Sequence, residues 1–318
     1  MDRRSLLARG TTAAVASVAG CLGVFDGENE QNDGGGESNG GSGPNDADRS
    51  EAGQYGLGDF GRWIPTAAGS EANPVTVIGM APASLSAVDD TPLELGPGKR
   101  ISDQPIAFPP AEDIDFVASA SFGLNRPPTD AAGATLVLHG TLDPDAAAAD
   151  LEAEGYERDT SVREFECYTD GRSAWGLGSE TFVAARGPDS SVERLERSLA
   201  ASVGDDSRLV EERDRFQRLA TAQPAGDVVF AEHATGSVKP VLAPTAVDEV
   251  VAAGESFDVG AEETTITTTL VFSGAEAATE ARLEGYVTDS GADPASVTTR
   301  LDGDVGEIEL TRPTDELL

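Results

Sequence analysis

Outside the N-terminal region, three side chains are best suited to move a proton, bind a metal or attack a carbonyl: His139, His233 and Cys167. Two imidazoles and a thiolate are the ligand types of a copper site, and a single imidazole can serve as a general base. The spacing argues against both roles. A blue-copper pattern places a second His and a Met shortly after the Cys. Here Cys167 is followed by Tyr-Thr-Asp-Gly-Arg, and Met80 is the one Met beyond the initiator. Both histidines fall at strand ends, where a local hydrogen bond is the commoner fate. Cys167, in Glu164-Phe165-Glu166-Cys167-Tyr168, reads as a small buried hydrophobe. The three remain the candidate site residues, with no metal and no cofactor assigned.

Other chemistry leaves no signature. There is no G-x-x-x-x-G-K-[ST] phosphate loop, no G-x-G-x-x-G after a strand, no G-x-S-x-G nucleophile elbow between a strand and a helix, no H-E-x-x-H and no C-x-x-C. Acidic loops such as Asp143-Pro144-Asp145 and Leu301-Asp302-Gly303-Asp304 do not fit the twelve-residue EF-hand pattern. Nothing singles out a catalytic carboxylate pair from 57 acidic residues. No catalytic residue is assigned.

The elements that would position these residues come in two similar series. The first holds PVTVIGM (74–80), EDIDFVASASF (112–122), ATLVLHG (134–140) and DPDAAAADLEAEGY (143–156). It ends in SVREFECYT (161–169) and TFVAAR (181–186). The second holds GDVVFAEH (226–233), VDEVVAAGESF (247–257), TTLVFSG (268–274), AEAATEARLEGY (275–286), SVTTRLD (296–302) and GEIELTR (306–312). Asp143 reads as a helix N-cap followed by Pro144 at the first helical position. Gly155 and Gly285 read as helix terminators, each followed by a Tyr that anchors on a sheet. Helices are expected over 190–202 and 207–222, the latter with Leu209, Val210, Phe216 and Leu219 on one face. The expected fold is α+β: a duplicated β-α-β-β-α-β-β unit forming antiparallel sheets covered by helices. Trp63 and Trp175 read as core residues, with Trp175 opposite Cys167 in a hairpin.

The chain carries 57 acidic and 22 basic residues, for a net charge of −35. Such a chain repels itself at low salt, whereas at 1 M salt the Debye length falls to about 3 Å. With no basic patch to meet phosphates, nucleic acid is excluded as a partner.

The N-terminus explains where so acidic a protein would work. Arg3 and Arg4 precede a modest apolar run, and the run ends in Val18-Ala19-Gly20-Cys21. That run has about half the roughly 20 apolar residues a membrane span needs. Residues 22–54 are Gly, Asn, Asp, Glu and Ser with almost nothing apolar, the composition of a flexible stalk. These features resemble the Tat signal and lipobox of exported lipoproteins of halophilic archaea, and the acidic, Lys-poor composition is similar to theirs. The resemblance is specific for residues 1–21. It implies export through Arg3 and Arg4, lipidation of Cys21, and residence on the extracytoplasmic face of the membrane. With Cys21 lipidated, Cys167 has no disulfide partner.

The expected organisation is therefore a signal peptide (1–20), a lipidated Cys and acidic stalk (21–54), a first α+β repeat (55–204), and a linking helix with a second repeat (205–318). The sequence favours a non-catalytic binding or structural module, held at the membrane by its lipid and meeting an envelope protein or polymer. The alternative is an exported, salt-adapted hydrolase whose catalytic residues lie on loops without a recognisable motif.

Overall fold

The computed structural model describes residues 54–66, 75–86, 104–122, 133–187, 191–233, 247–290, 292 and 296–314. Arg3, Arg4, Cys21 and the stalk lie outside the described residues.

Among the described residues, alternating and continuous apolar runs form twelve strands. In chain order they are β1 (Val75–Met80), β2 (Ile114–Phe122), β3 (Gly133–Gly140), β4 (Glu157–Arg158), β5 (Glu166–Thr169), β6 (Ser173–Leu177), β7 (Thr181–Arg186), β8 (Val228–His233), β9 (Val250–Val259), β10 (Glu263–Phe272), β11 (Val297–Asp302) and β12 (Val305–Pro313). They make an α+β protein with one sheet, ordered β11-β12-β10-β9-β8-β1-β2-β3-β7-β6-β5-β4, with every pairing antiparallel. The sequence suggested two sheets. The structure joins both sets of strands because β1 and β8 pair along their whole lengths, from Val75↔His233 to Met80↔Val228.

The two sides of that seam follow the same course. On one, β1-β2-β3 run as a meander, a helix crosses a face, and β7 returns to pair with β3. On the other, β8-β9-β10 run as a meander, a helix crosses, and β12 returns to β10. The first side carries extra strands in the β4-β5-β6 stretch.

The helices are α1 (Leu57–Gly61), α2 (Pro82–Leu85), α3 (Pro144–Ala153), α4 (Ser191–Val203), α5 (Leu209–Glu212), α6 (Asp214–Ala222) and α7 (Glu280–Ser290). On one face α1, α4, α5 and α6 cover a core that includes Phe60, Leu195, Leu209, Phe216, Val77, Phe116 and Cys167. On the other, α2 and α3 cover Met80, Leu138, Trp175 and Phe182, and α7 covers Ala253, Leu270, Phe272 and Ile308. Each fully buried Leu or Phe contributes roughly 1.5–3 kcal/mol relative to an exposed one. None of the helices among the described residues is long and apolar enough to cross a membrane.

Local chemistry explains where sequence and structure agree. Asp143 caps α3 by accepting from the Asp145 and Ala146 amides at 3.1 and 3.0 Å, and Pro144 opens the helix. Gly155 follows its end at φ +88°. Tyr156 is buried beneath it and bonds the Ser173 hydroxyl at 2.7 Å.

Three expectations change. Gly285 lies inside α7 rather than ending it, because Tyr286 and Val287 are buried beneath that turn and outweigh a glycine penalty of about 1 kcal/mol. The helix expected over 207–222 breaks at Arg213, whose backbone is extended. The break lets α5 pin to the segment after α1 through Leu209 N donating to Ile64 O at 2.9 Å. Finally, Trp175 pairs with Tyr168, and Cys167 with Gly176. A one-residue difference in register moves a side chain to the other face, so Trp175 and Cys167 sit in different cores.

Candidate functional site

The sheet register keeps the three candidate residues apart. His233 is level with Val75, Phe122 and Gly133 across β8-β1-β2-β3, whereas His139 lies at the far end of β3. At about 3.3 Å per residue and about 4.8 Å per strand, the two imidazoles are separated by roughly 20 Å along the strands and 14 Å across them. Cys167 is level with Gly176, Val183 and Val137, three strands from β3. All three face the same core, but they do not converge. Among the described residues no group of three or more His, Cys, Asp or Glu is arranged to hold a metal ion.

Two of them serve packing. His233 is buried, with its ring edge-on to Phe216 of α6 at 6.2 Å and 87°. Cys167 is 1% exposed, and its Sγ lies 3.9 Å from Phe165 O. Burial pushes its thiol up, against a smaller opposing effect of a backbone hydrogen bond at Val162, and Asp159 and Glu196 push it further.

His139 is set in a more elaborate arrangement. Its cross-strand neighbours are Phe116 and Thr181. Nδ1 lies 2.8 Å from Thr181 Oγ1, and Nε2 lies 3.8 Å from Asp115 Oδ2. The ring packs on Phe116 at 5.2 Å, and Phe116 in turn meets Tyr55 and Phe60 at 5.0 and 5.4 Å. Asp115 reaches the imidazole through a bulge. Ile114 pairs with Gly140 and Phe116 with His139, so Asp115 has no partner and its side chain is re-aimed. Gly140 permits this approach, because a Cβ there would overlap Asp113 O. Burial raises the Tyr55 phenol pKa, and Asp115 and Asp59 add to the rise. With the proton on Nε2, Nδ1 accepts from the Thr181 hydroxyl, an order of groups that can pass a proton from hydroxyl to imidazole.

Asp115 and Thr181 carry no motif in the sequence. The bulge that brings Asp115 to His139 is a register event, and its one sequence trace is a glycine directly after the histidine. A cavity of about 10 Å³, bounded by Phe60, Trp63, Ile64, Val77, Ala118 and Val137, lies in the core beneath α1. It has room for about one water molecule.

No family model matches the chain, and no curated protein matches it. Similar solved structures include crystal forms I and III of TP0453. Form I is 14% identical with a TM-score of 0.47, covering 84% of this chain and 96% of that one. Form III is 13% identical with a TM-score of 0.48, covering 84% and 97%.

Proposed function

We propose that the chain is a lipid-anchored protein of the extracytoplasmic membrane face, whose folded part is a non-catalytic binding or structural module for an envelope protein or polymer. The observation that carries the non-catalytic reading is the use made of the candidate residues. Cys167 and His233 are absorbed into the core, on strands too far apart to share a substrate. Anchoring rests on Arg3, Arg4 and Cys21. The test is fractionation of cells in molar KCl. The wild-type chain should sediment with membranes and partition into detergent, Cys21→Ser should release it, and Arg3→Lys with Arg4→Lys should leave it inside the cell. A wild-type chain that stays soluble sinks the anchored reading. For the module itself, a pull-down from membranes at native salt should recover an envelope component. Recovery of nothing above background counts against it.

We also infer that the two halves descend from one duplicated unit. The matching courses on either side of the β1/β8 seam support this. So do the positions of ATLVLHG and TTLVFSG on β3 and β10, each before its crossing helix.

A second reading, an exported hydrolase, is favoured by the Thr181–His139–Asp115 series alone. Labelling of Thr181 by an acylating or phosphonylating probe, lost in His139→Ala, would support it. No labelling in molar salt would dismiss it.

A further inference from the structure

The sheet has two outer edges. At one, β4 is two residues long, and both are exposed. That length leaves little ladder for another chain to join. At the other, β11 runs six residues, Val297-Thr298-Thr299-Arg300-Leu301-Asp302, with an unbroken register to β12. It contains no Pro, no Lys and no bulge, the usual devices that blunt an edge. No described strand lies on its outer side.

The backbone of β11 shows which groups face outward. β11 and β12 are joined by Gly303-Asp304, with Asp302 directly opposite Val305. Gly303 is at φ +63°, as the first central residue of a type II′ hairpin turn requires. A two-residue hairpin of this kind closes on a hydrogen-bonded pair, so Asp302, Arg300 and Thr298 spend their amide and carbonyl groups on β12. Val297, Thr299 and Leu301 then turn theirs outward.

We propose that this edge pairs with β11 of a second copy of the chain, antiparallel, with Thr299 on the two-fold axis. In that register Thr299 meets Thr299, and Val297 meets Leu301 twice. Every outward group of one copy faces an outward group of the other. Val297 and Leu301 are half-buried against the core beneath α7, so their pairing extends that apolar face across the seam. On the opposite face Arg300 meets Thr298, and no like charges stand opposite each other. The strand carries one Arg and one Asp, so its own charge is balanced in a chain of net charge −35. It is therefore a stretch where two copies approach with little repulsion, and molar salt screens the rest. A self-complementary, isologous contact is the common basis of two-fold dimers. Six residues a side is a small interface, so the dimer forms at high chain concentration or on a surface that concentrates it.

The test uses the full chain in molar KCl at high concentration, measured by sedimentation equilibrium. The expected result is a reversible dimer. Thr299→Pro removes an outward amide without touching the β12 ladder, and should give a monomer with the wild-type circular dichroism and melting temperature. Thr299→Cys, oxidised mildly, should give a disulfide joining residue 299 to residue 299, whereas Thr311→Cys, one strand in, should not. A wild-type chain that remains monomeric overturns the proposal. So does a dimer that survives Thr299→Pro, or a Thr299→Cys chain that cross-links in membranes to a different protein rather than to itself.

Discussion

The Tyr286 hydroxyl donates to Glu255 Oε1 across 3.4 Å beneath α7, in a site where Glu255 is 1% and Tyr286 5% exposed. Burial drives the Tyr286 phenol well above its ordinary pKa, and the Glu255 carboxylate adds to the rise. The folded state prefers the neutral phenol. Its contribution is fully present below the unfolded phenol's pKa of about 10 and is lost as pH rises through the higher folded value.

The other tyrosines move the same way. Burial is the largest cause for Tyr55, Tyr156 and Tyr168. Alkaline titration followed by phenolate absorbance should therefore show a midpoint above that of the unfolded chain, with unfolding and phenolate formation coupled. Tyr286→Phe should lower stability by about 1 kcal/mol at neutral pH and remove the latest-titrating phenol. A native titration that overlays the denatured one refutes this.

Asp170 shapes the turn between β5 and β6. Partial loss of solvent around the carboxyl would by itself raise its pKa, but hydrogen bonds from the Ser173 and Arg172 amides and the Ser173 hydroxyl lower it on balance. Its stabilisation is present above the unfolded carboxyl's pKa of about 3.9 and fades as pH falls through the lower folded value. Because the residue is exposed, Asp170→Ala should cost about 1 kcal/mol or less at pH 7, and nothing in strong acid. Chemical denaturation at the two pH values checks it.

Gly79 in β1 lies directly under the Phe60 ring of α1, where an added Cβ would overlap the aromatic carbons. Gly79→Ala should destabilise by about 1–3 kcal/mol through overpacking, and Gly79→Ala with Phe60→Leu should recover part of the loss. Equal stability of Gly79→Ala and wild type would show that α1 does not seat on the sheet in this way.

Cys167 is the buried thiol. A Cys21→Ser chain, whose one thiol is Cys167, should release no colour from a disulfide reagent when folded, and one equivalent should appear on denaturation. Fast reaction under native conditions would place Cys167 at the surface.

Much of the fold was legible in the residues. The apolar runs at 74–80, 134–140 and 226–233 marked β1, β3 and β8, and Asp143-Pro144 marked the start of α3. What joined the strands was not legible. Pairing of β1 with β8 depends on two segments distant in the chain sharing an apolar face, and no local pattern encodes that. Gly285 misled because burial of Tyr286 outweighs helix propensity. At the candidate site His139 was visible as a residue type. Its partners were hidden because Asp115 arrives through a bulge and Thr181 through a return strand.

The β1/β8 seam also governs the order of assembly. Its partners, Met80 and Val228 at their nearest, are farther apart in the chain than those of any other strand pair. Closing longer loops costs more entropy, and distant pairings form slowly. Each meander can therefore form before the two join, and until they do, β1 and β8 are bare inner edges. Mutations that weaken the seam would thus prolong the period in which nascent chains can zip onto one another, even where the finished protein is scarcely less stable.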